Sequence, residues 1–310
     1  MTQIQIACSA RNAARYLDAF MEGLVAQTHS DWVLWIRNDG STDETWDHIS
    51  AWRAREPRIV WTEQSEESLG SARAFGRVLA QLPRSATAIA TADADDVWMP
   101  RRLERTLAAL TGATTGNTSP VLVHTDLTVV DSELDELAPS FWRSEGINPA
   151  DCSLRSLAIQ NVAVGPTMLF NGTLLAELHD IPVEAIHQDW WIALVAAATG
   201  RLVAVDEPTV WYRQHGANTA GARMHGKWSR MSRALANRER VARDLDRTAA
   251  QAGALVARYD TRLSPIDRDA LHGLASIAAK RGWARRTAIA RWRWHAPHGV
   301  LRNLGVVLRG

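Results

Sequence analysis

The chain has 310 residues, of which 46% are hydrophobic and 22% are charged, a composition typical of a globular protein with a sizeable core. A formal net charge of +1 excludes a strongly basic protein, so we expect no nucleic-acid partner. Two cysteines exclude a disulfide-rich secreted scaffold and favour free thiols in a reducing, cytoplasmic setting.

Short apolar runs alternate with amphipathic segments in the first part of the chain. The apolar runs predict five strands, at residues 4–8, 32–36, 58–61, 87–92 and 121–124. The segments between them predict four helices, at residues 13–27, 43–53, 71–82 and 101–110. This order predicts an α/β fold with a parallel, doubly wound sheet and helices on both faces.

After residue 126 the alternation is weaker. Residues 162–171 predict a strand with a Gly-Pro interruption, residues 190–198 a buried helix, and residues 202–205 and 209–212 two further strands. From about residue 225 the chain is Arg-rich and its pattern is helical, at residues 228–259 and 266–279. We therefore predict two regions, a catalytic domain at 1–225 and a helical, Arg- and Trp-rich appendage at 226–310.

Polar clusters follow three of the predicted strands, at residues 9–12, 38–43 and 93–96. In open α/β sheets, ligands bind just beyond the carboxyl ends of the strands. We therefore expect the three clusters to meet at one rim.

Asp93 and Asp95 lie two residues apart at a predicted strand end. Such a pair can face one divalent cation, Mg²⁺ or Mn²⁺, and the diphosphate that the cation neutralises. The alternative is an acidic turn that caps the next helix. Asp39 has the same two interpretations: a carboxylate that accepts a hydrogen bond from a base or ribose, or part of an ordinary turn.

Asp189 precedes Trp190 and Trp191, and His215 lies beyond a predicted strand. A carboxylate beside aromatic rings fits a base in a partly dry, sugar-sized pocket. It also fits an N-cap with both tryptophans in the core. His215 is either a metal ligand or an ordinary surface or core histidine.

Together these stretches resemble the family 2 glycosyltransferases of the GT-A fold, which has a Rossmann-like, mostly parallel sheet. Within that family they are most similar to the bacterial rhamnosyltransferase-like branch. The resemblance covers about residues 3–221. The matching stretches are SARNAARYL, IRNDGSTDET, LGSARAF, ATADADDVWMPRRLE, VGPTMLFN, HQDWWIALVA and VDEPTVWYRQHGANTAG.

The resemblance implies a role for each matching residue. Asp189 would be the catalytic base, and Asp95 and His215 would bind the metal. Six residues would bind the nucleotide or the donor sugar: Ser9, Arg11, Asp39, Arg73, Asp93 and Ala94. Four would form a pocket for the acceptor or the sugar: Trp98, Gly165, Trp190 and Trp191.

The implied activity is the inverting transfer of a hexose or deoxyhexose from a UDP- or dTDP-linked donor to a hydroxyl of a glycan or lipid-linked acceptor. It would serve polysaccharide or glycoconjugate biosynthesis, with Mn²⁺ or Mg²⁺ as cofactor. One alternative is a nucleotidyltransferase that forms nucleotide sugars, although ACSARNAARYL lacks the glycine-rich loop that enzyme would need after its first strand. A second is a sugar-binding relative without catalysis.

The segment from Lys280 to Gly310 contains eight Lys and Arg residues and no Asp or Glu. Its arginines interleave with three tryptophans, a mixture that suits the interface of an anionic membrane. The alternative is a solvated helix that packs on the catalytic domain. The first interpretation would place residues 281–310 at the inner face of the cell membrane.

Overall fold

The computed structural model describes residues 2–215, 238–277, 279–280 and 287 of the chain. Its strands are β1 (Ile4–Ala10), β2 (Trp32–Asp39), β3 (Ile59–Ser65), β4 (Ala88–Asp93), β5 (Val97–Trp98), β6 (Val121–Val130), β7 (Glu136–Ala138), β8 (Leu169–Asn171) and β9 (Arg201–Arg213). Its helices are α1 (Ala14–Val25), α2 (Thr45–Arg55), α3 (Ser71–Leu79), α4 (Arg102–Thr114), α5 (Phe141–Glu145), α6 (Leu154–Leu157), α7 (Gly172–Leu178), α8 (Gln188–Thr199), α9 (Arg238–Tyr259) and α10 (Pro265–Ala275).

The described strands form one sheet in the order β3-β2-β1-β4-β8-β6-β9-β5, with β7 beside β6. Strands β1 to β4 are parallel, and β6 is parallel to β9. The short strand β8 is antiparallel to β4 on one side and to β6 on the other. The predicted α/β class with a mostly parallel sheet is confirmed.

Helices cover both faces of the sheet. One core cluster joins α1, α2 and α4 to the sheet, and includes Leu17, Ile49 and Leu103. The other joins α3, α7 and α8, and includes Phe75 and Trp191. Strand β4 lies between these layers with its residues from Ala88 to Ala92 buried. Burial on both faces explains its nearly continuous run of small, mostly apolar residues.

Three elements of the second half differ from the prediction. Strand β6 continues to Val130 instead of ending at residue 124, because β9 pairs with it along most of its length. The two strands predicted at residues 202–212 are the single strand β9, which is irregular where Pro208 lacks an N–H for the ladder. Only β8 of the strand predicted at residues 162–171 is a strand, because Gly165–Thr167 forms a 3₁₀ turn.

Helix α9 packs on α8, and α10 packs on α9 and α6. Leu245, Leu255 and Tyr259 of α9 join the core cluster that contains Trp191, and the Tyr259 hydroxyl donates to the carbonyl of Glu177 at 2.6 Å. These two helices agree with the helical pattern predicted at residues 228–259 and 266–279, and the division of the chain into two regions stays a prediction. The predicted boundary at residue 225 lies outside the described residues, as does the segment 281–310 except for Thr287.

No helix in the described part of the chain has both the length and the apolar composition needed to cross a membrane.

Candidate active site

A cleft of about 550 Å³ opens beyond the carboxyl ends of β1, β2 and β4, at the rim where the three polar clusters were expected. Nine of the residues singled out from the sequence line the cleft. They are Ser9, Arg11, Asp39, Asp93, Ala94, Asp95, Asp189, Trp190 and His215. The parallel register brings Ser9 and Asp93 side by side on neighbouring strands.

Asp95 and His215 lie next to each other, with 3.0 Å between Asp95 Oδ2 and His215 Nε2. Arg213 holds this geometry from β9: its Nε donates to the carbonyl of Asp95 at 2.9 Å, and its backbone N–H donates to Asp96 Oδ1 at 2.8 Å. The Tyr16 ring stacks on the His215 imidazole, with 4.7 Å between the ring centroids. The imidazole is therefore held against the carboxylate.

Charge accumulates where β4 ends. Burial raises the pKa of Asp93 well above its ordinary value, and the neighbouring Asp95 and Asp189 carboxylates raise it further. Burial and the charges of Asp95 and Asp93 raise the pKa of Asp96 in the same way. Asp96 Oδ2 is buried and has no hydrogen-bond partner among the described residues. Such a group of carboxylates favours a cation beside it.

Asp189 lies in the first turn of α8 and does not cap it, because the N-cap position belongs to His187. Its Oδ2 accepts a hydrogen bond from the Gly165 N–H at 3.0 Å, and its Oδ1 accepts one from the Trp190 N–H at 2.6 Å. Burial raises the pKa of Asp189, although the charge of His187 and these hydrogen bonds act in the opposite direction. A carboxylate with a raised pKa is a better proton acceptor at neutral pH than an ordinary aspartate.

Asp39 binds the loop that precedes α3. Its two carboxylate oxygens accept hydrogen bonds from the N–H groups of Leu69 and Gly70, from the Ser68 hydroxyl and from Arg37 Nε, at 2.8–3.2 Å. Burial would raise its pKa, but these donors outweigh burial and lower the pKa of Asp39. A base contact by this carboxylate stays a prediction, and would require exchange of one of these bonds.

Gly40 allows the same loop to approach. It has a φ of +68°, and a Cβ there would lie 2.6 Å from the Ser68 nitrogen and 2.9 Å from the Glu67 carbonyl carbon. The glycine thus allows the backbone of residues 66–68 to lie close to the end of β2.

Gly40→Ala is expected to weaken the nucleotide binding that the family resemblance implies for Asp39, because a methyl group would displace the loop at residues 66–70 from that carboxylate. We expect about a tenfold higher Kd for UDP by calorimetry. Gly116→Ala is the control, since Gly116 has the same φ of +68° with nothing within 4 Å of the added carbon, and so carries the backbone strain alone. That strain is about 1–2 kcal/mol. Equal loss of UDP affinity in both variants would contradict this role for Gly40.

Four predicted site residues do not line the cleft; the expectation is wrong for the two tryptophans among them and stays a prediction for Arg73 and Gly165. Trp98 and Trp191 are 1% and 0% exposed in the core, so neither ring can contact a ligand. Helix α8 turns the Trp191 side chain inward, towards Tyr259, and leaves Trp190 at the cleft. Arg73 is exposed on α3, and Gly165 is buried beside Asp93 and Asp189.

The sequence did not indicate the aromatic side of the cleft. Phe141 of α5 and Tyr212 of β9 both line it, with ring centroids 6.5 Å apart. Tyr16 and Asn161 were also missed. These residues are far apart in the chain and carry no shared motif, so nothing local could have connected them.

Comparisons with known proteins agree with this geometry. Residues 6–154 match the model of the family described as Glycosyl transferase family 2. An uncharacterised glycosyltransferase of Nostoc sp. is 29% identical over 224 residues, which cover 70% of this chain and 66% of that protein, just under two thirds of its length.

Solved structures establish the fold. The chain superimposes on residues 1–349 of S. aureus TarS in complex with UDP-GlcNAc, with a TM-score of 0.54 at 12% identity, covering 100% of this chain and 89% of the other. It also superimposes on the mannosyltransferase PcManGT of Pyrobaculum calidifontis in complex with GDP-Man and Mn²⁺, with a TM-score of 0.52 at 16% identity, covering 98% and 86%. The fold is therefore the predicted GT-A fold. The rhamnosyltransferase-like branch stays a prediction.

Proposed function

We propose that this chain, whose residues 6–154 match the Glycosyl transferase family 2 model, is an inverting, metal-dependent glycosyltransferase. It moves a sugar from a UDP- or dTDP-linked donor to an acceptor hydroxyl. One observation carries the proposal: an acidic pair with an adjacent histidine, the separate, half-buried carboxylate of Asp189, and the side chains of Ser9, Arg11 and Asp39 all line one cleft of about 550 Å³.

The nucleotide occupies the side of the cleft formed by β1, β2 and the loop before α3. Ser9, Arg11 and Asp39 line that side, and Asp93 at the end of β4 contacts the ribose or the sugar. Two of the solved neighbours are complexes with UDP-GlcNAc and with GDP-Man, which supports a nucleotide-sugar donor.

The residues present fit a divalent cation that is completed by the donor. Asp95 and His215 offer a carboxylate oxygen and an imidazole nitrogen 3.0 Å apart, a pair that favours Mn²⁺ over Mg²⁺. The described residues contain no group of three His, Cys, Asp or Glu side chains that could hold a metal alone. Oxygens of the diphosphate would supply the remaining ligands. When bound, the cation neutralises negative charge on the leaving diphosphate.

Asp189 acts as the base. It accepts the proton of the acceptor hydroxyl while that oxygen attacks the anomeric carbon, and the bond to the diphosphate breaks on the opposite face of the sugar. The two backbone N–H groups hold the carboxylate in place. A base in position contributes about 10²–10⁴-fold to the rate.

The acceptor enters along the aromatic side of the cleft. Phe141, Tyr212 and Trp190 present ring surface there, which suits the apolar face of a sugar, so we assign the acceptor to glycans or glycolipids. A lipid-linked acceptor would bring the protein to the inner face of the membrane through residues 281–310. Except for Thr287, these residues lie outside the described part of the chain.

Nucleotide binding and metal binding are expected to depend on each other, because Asp95 and His215 supply only part of a coordination shell. In thermal unfolding, UDP or dTDP with Mn²⁺ should raise the melting temperature, with about 2.7 kcal/mol of added stability at 100 times Kd. UDP with EDTA, Mn²⁺ alone and UMP with Mn²⁺ should each produce a much smaller shift.

Two outcomes would contradict the proposal. An equal shift by UDP with EDTA would remove the metal from it. Absence of binding and of donor hydrolysis across a panel of UDP- and dTDP-sugars would overturn the transferase assignment itself.

A further inference from the structure

Arg102 is a buried cation in an unusual position. Its side chain is fully buried at the start of α4, with the guanidinium 3.5 Å from the centroid of the Trp98 ring. No carboxylate of the described residues lies within ion-pair distance of it, and its Nη1 has no partner among them. A buried charge without a counter-ion is costly, so its retention calls for a reason beyond packing.

Among the described residues, the Arg102 side chain donates to three backbone carbonyls: that of Thr91 on β4, at 3.4 Å from Nη2, and two carbonyls that follow Gly165 in the chain. Its Nε donates to the carbonyl of Pro166 at 2.8 Å, and its Nη2 donates to the carbonyl of Met168 at 3.1 Å. Both carbonyls belong to the turn formed by residues 165–168, between the cleft and β8. Arg102 therefore links this turn to the start of α4.

Thr91 of β4 holds the same turn from a second side. Its hydroxyl donates to the carbonyl of Gly165 at 2.5 Å, and its backbone N–H points to the carbonyl of Met168 at 3.4 Å. Thr91 thus holds the carbonyl of Gly165, and Arg102 holds the next carbonyl, that of Pro166. The remaining polar group of Gly165, its N–H, donates to Asp189 Oδ2 at 3.0 Å.

We infer that Arg102 and Thr91 are positioning residues for Asp189, which they orient through the turn at residues 165–168. The Trp190 N–H belongs to α8, as Asp189 does, so it moves together with the carboxylate. The Gly165 N–H belongs to a separate turn, which Thr91 of β4 and Arg102 of α4 hold in place. The Gly165 bond therefore sets where the carboxylate lies relative to Asp93 and Asp95. This inference rests on the proposed role of Asp189 as base.

Thr91→Val is the main test, because it removes the hydroxyl with little change of shape. The assay is hydrolysis of the UDP- or dTDP-sugar that the wild-type protein cleaves fastest, with Mn²⁺. We expect kcat to fall about tenfold while KM and the Kd for UDP stay within about twofold, since small misplacement of a reacting group lowers the rate without affecting donor binding. Arg102→Lys should lower kcat in the same way, because an ammonium cannot reproduce the planar fork.

Thr248→Val is the matched control, since Thr248 is also buried and its hydroxyl donates to a carbonyl of its own helix, α9, away from the cleft. It should leave kcat unchanged at a similar melting temperature. If Arg102→Lys does not fold, Thr91→Val alone decides the question.

A double variant separates positioning from a general structural effect. In an Asp189→Asn background, Thr91→Val should cause no further loss, because the group that it positions is already disabled. A further tenfold loss there, or no loss from Thr91→Val alone, would overturn the inference. Unchanged hydrolysis in Asp189→Asn would instead refute the proposed base, and so distinguishes the two failures.

Discussion

Asp189→Asn is expected to lower sugar transfer about 10²–10⁴-fold while the Kd for UDP with Mn²⁺ changes less than twofold. Asparagine keeps the shape and can still accept a hydrogen bond from the Gly165 N–H, but it cannot accept a proton from the acceptor. Steady-state kinetics and calorimetry on the same preparation measure the two quantities. Asp180→Asn is the control, since Asp180 is an exposed aspartate that pairs with Arg258.

The pH dependence of kcat provides a second measurement on the same group. The base must be ionised, so activity falls as pH falls through the pKa of Asp189. Burial raises that pKa, so the acidic limb should lie at a higher pH than for an ordinary aspartate. The charge of His187 lowers the pKa of Asp189, and His187→Gln should therefore move the limb to still higher pH. A limb that does not move would contradict this coupling, and near-normal kcat in Asp189→Asn would refute the base.

Asp93→Asn is expected to stabilise the fold at neutral pH while transfer falls. The folded-state pKa of Asp93 is raised by burial and by the Asp95 and Asp189 charges. Its stabilising contribution is therefore present below the unfolded-state pKa and is lost as pH rises through the folded-state pKa. At pH 7 the ionised group opposes folding, so its removal should raise the free energy of unfolding.

Asp39→Asn should change stability in the opposite direction. Hydrogen bonds lower the pKa of Asp39, so its contribution is present above the unfolded-state pKa and is lost as pH falls through the folded-state value. An amide would also turn N–H groups towards the donors at residues 68–70, and we expect a loss of about 1–3 kcal/mol at pH 7.

Urea unfolding in EDTA at pH 7 measures both variants without a stabilising cation. At pH 4 the gain from Asp93→Asn should shrink, because protonation of Asp93 removes the charge in the wild-type protein as well. Two results would contradict this account of the charges at the rim. One is a lower free energy of unfolding for Asp93→Asn at pH 7; the other is a change of the same sign in Asp93→Asn and Asp39→Asn.

Much of the first half could be predicted because its signals are local. The run that ends at Asp93 is apolar because β4 is covered on both faces, and the polar residues begin where the strand reaches the rim. The alternation of strand and helix patterns specifies a parallel sheet, and such a sheet brings its carboxyl ends together. Ser9, Asp39 and Asp93 could therefore be assigned to one site in advance.

The tryptophans show the limit of that method. Trp190 and Trp191 are neighbours in sequence, and their surroundings alone do not decide which ring faces the cleft. Packing of α9 on α8 decides it, since Tyr259 and its neighbours bury Trp191. Trp98 is likewise buried by tertiary packing. Its ring contacts Phe20 of α1 and the guanidinium of Arg102 at the start of α4.

The sequence by itself determined the fold class and the rim at which the polar clusters meet, and it indicated Asp93, Asp95 and Asp189 as the centre of the candidate site. It could do so because strand and helix periodicity, and the types of residue at strand ends, are properties of short segments. Only the tertiary structure decided two other sets of contacts: the turn that binds Asp189 and the loop that binds Asp39. Those contacts join distant segments, and their geometry depends on how helices and strands pack together.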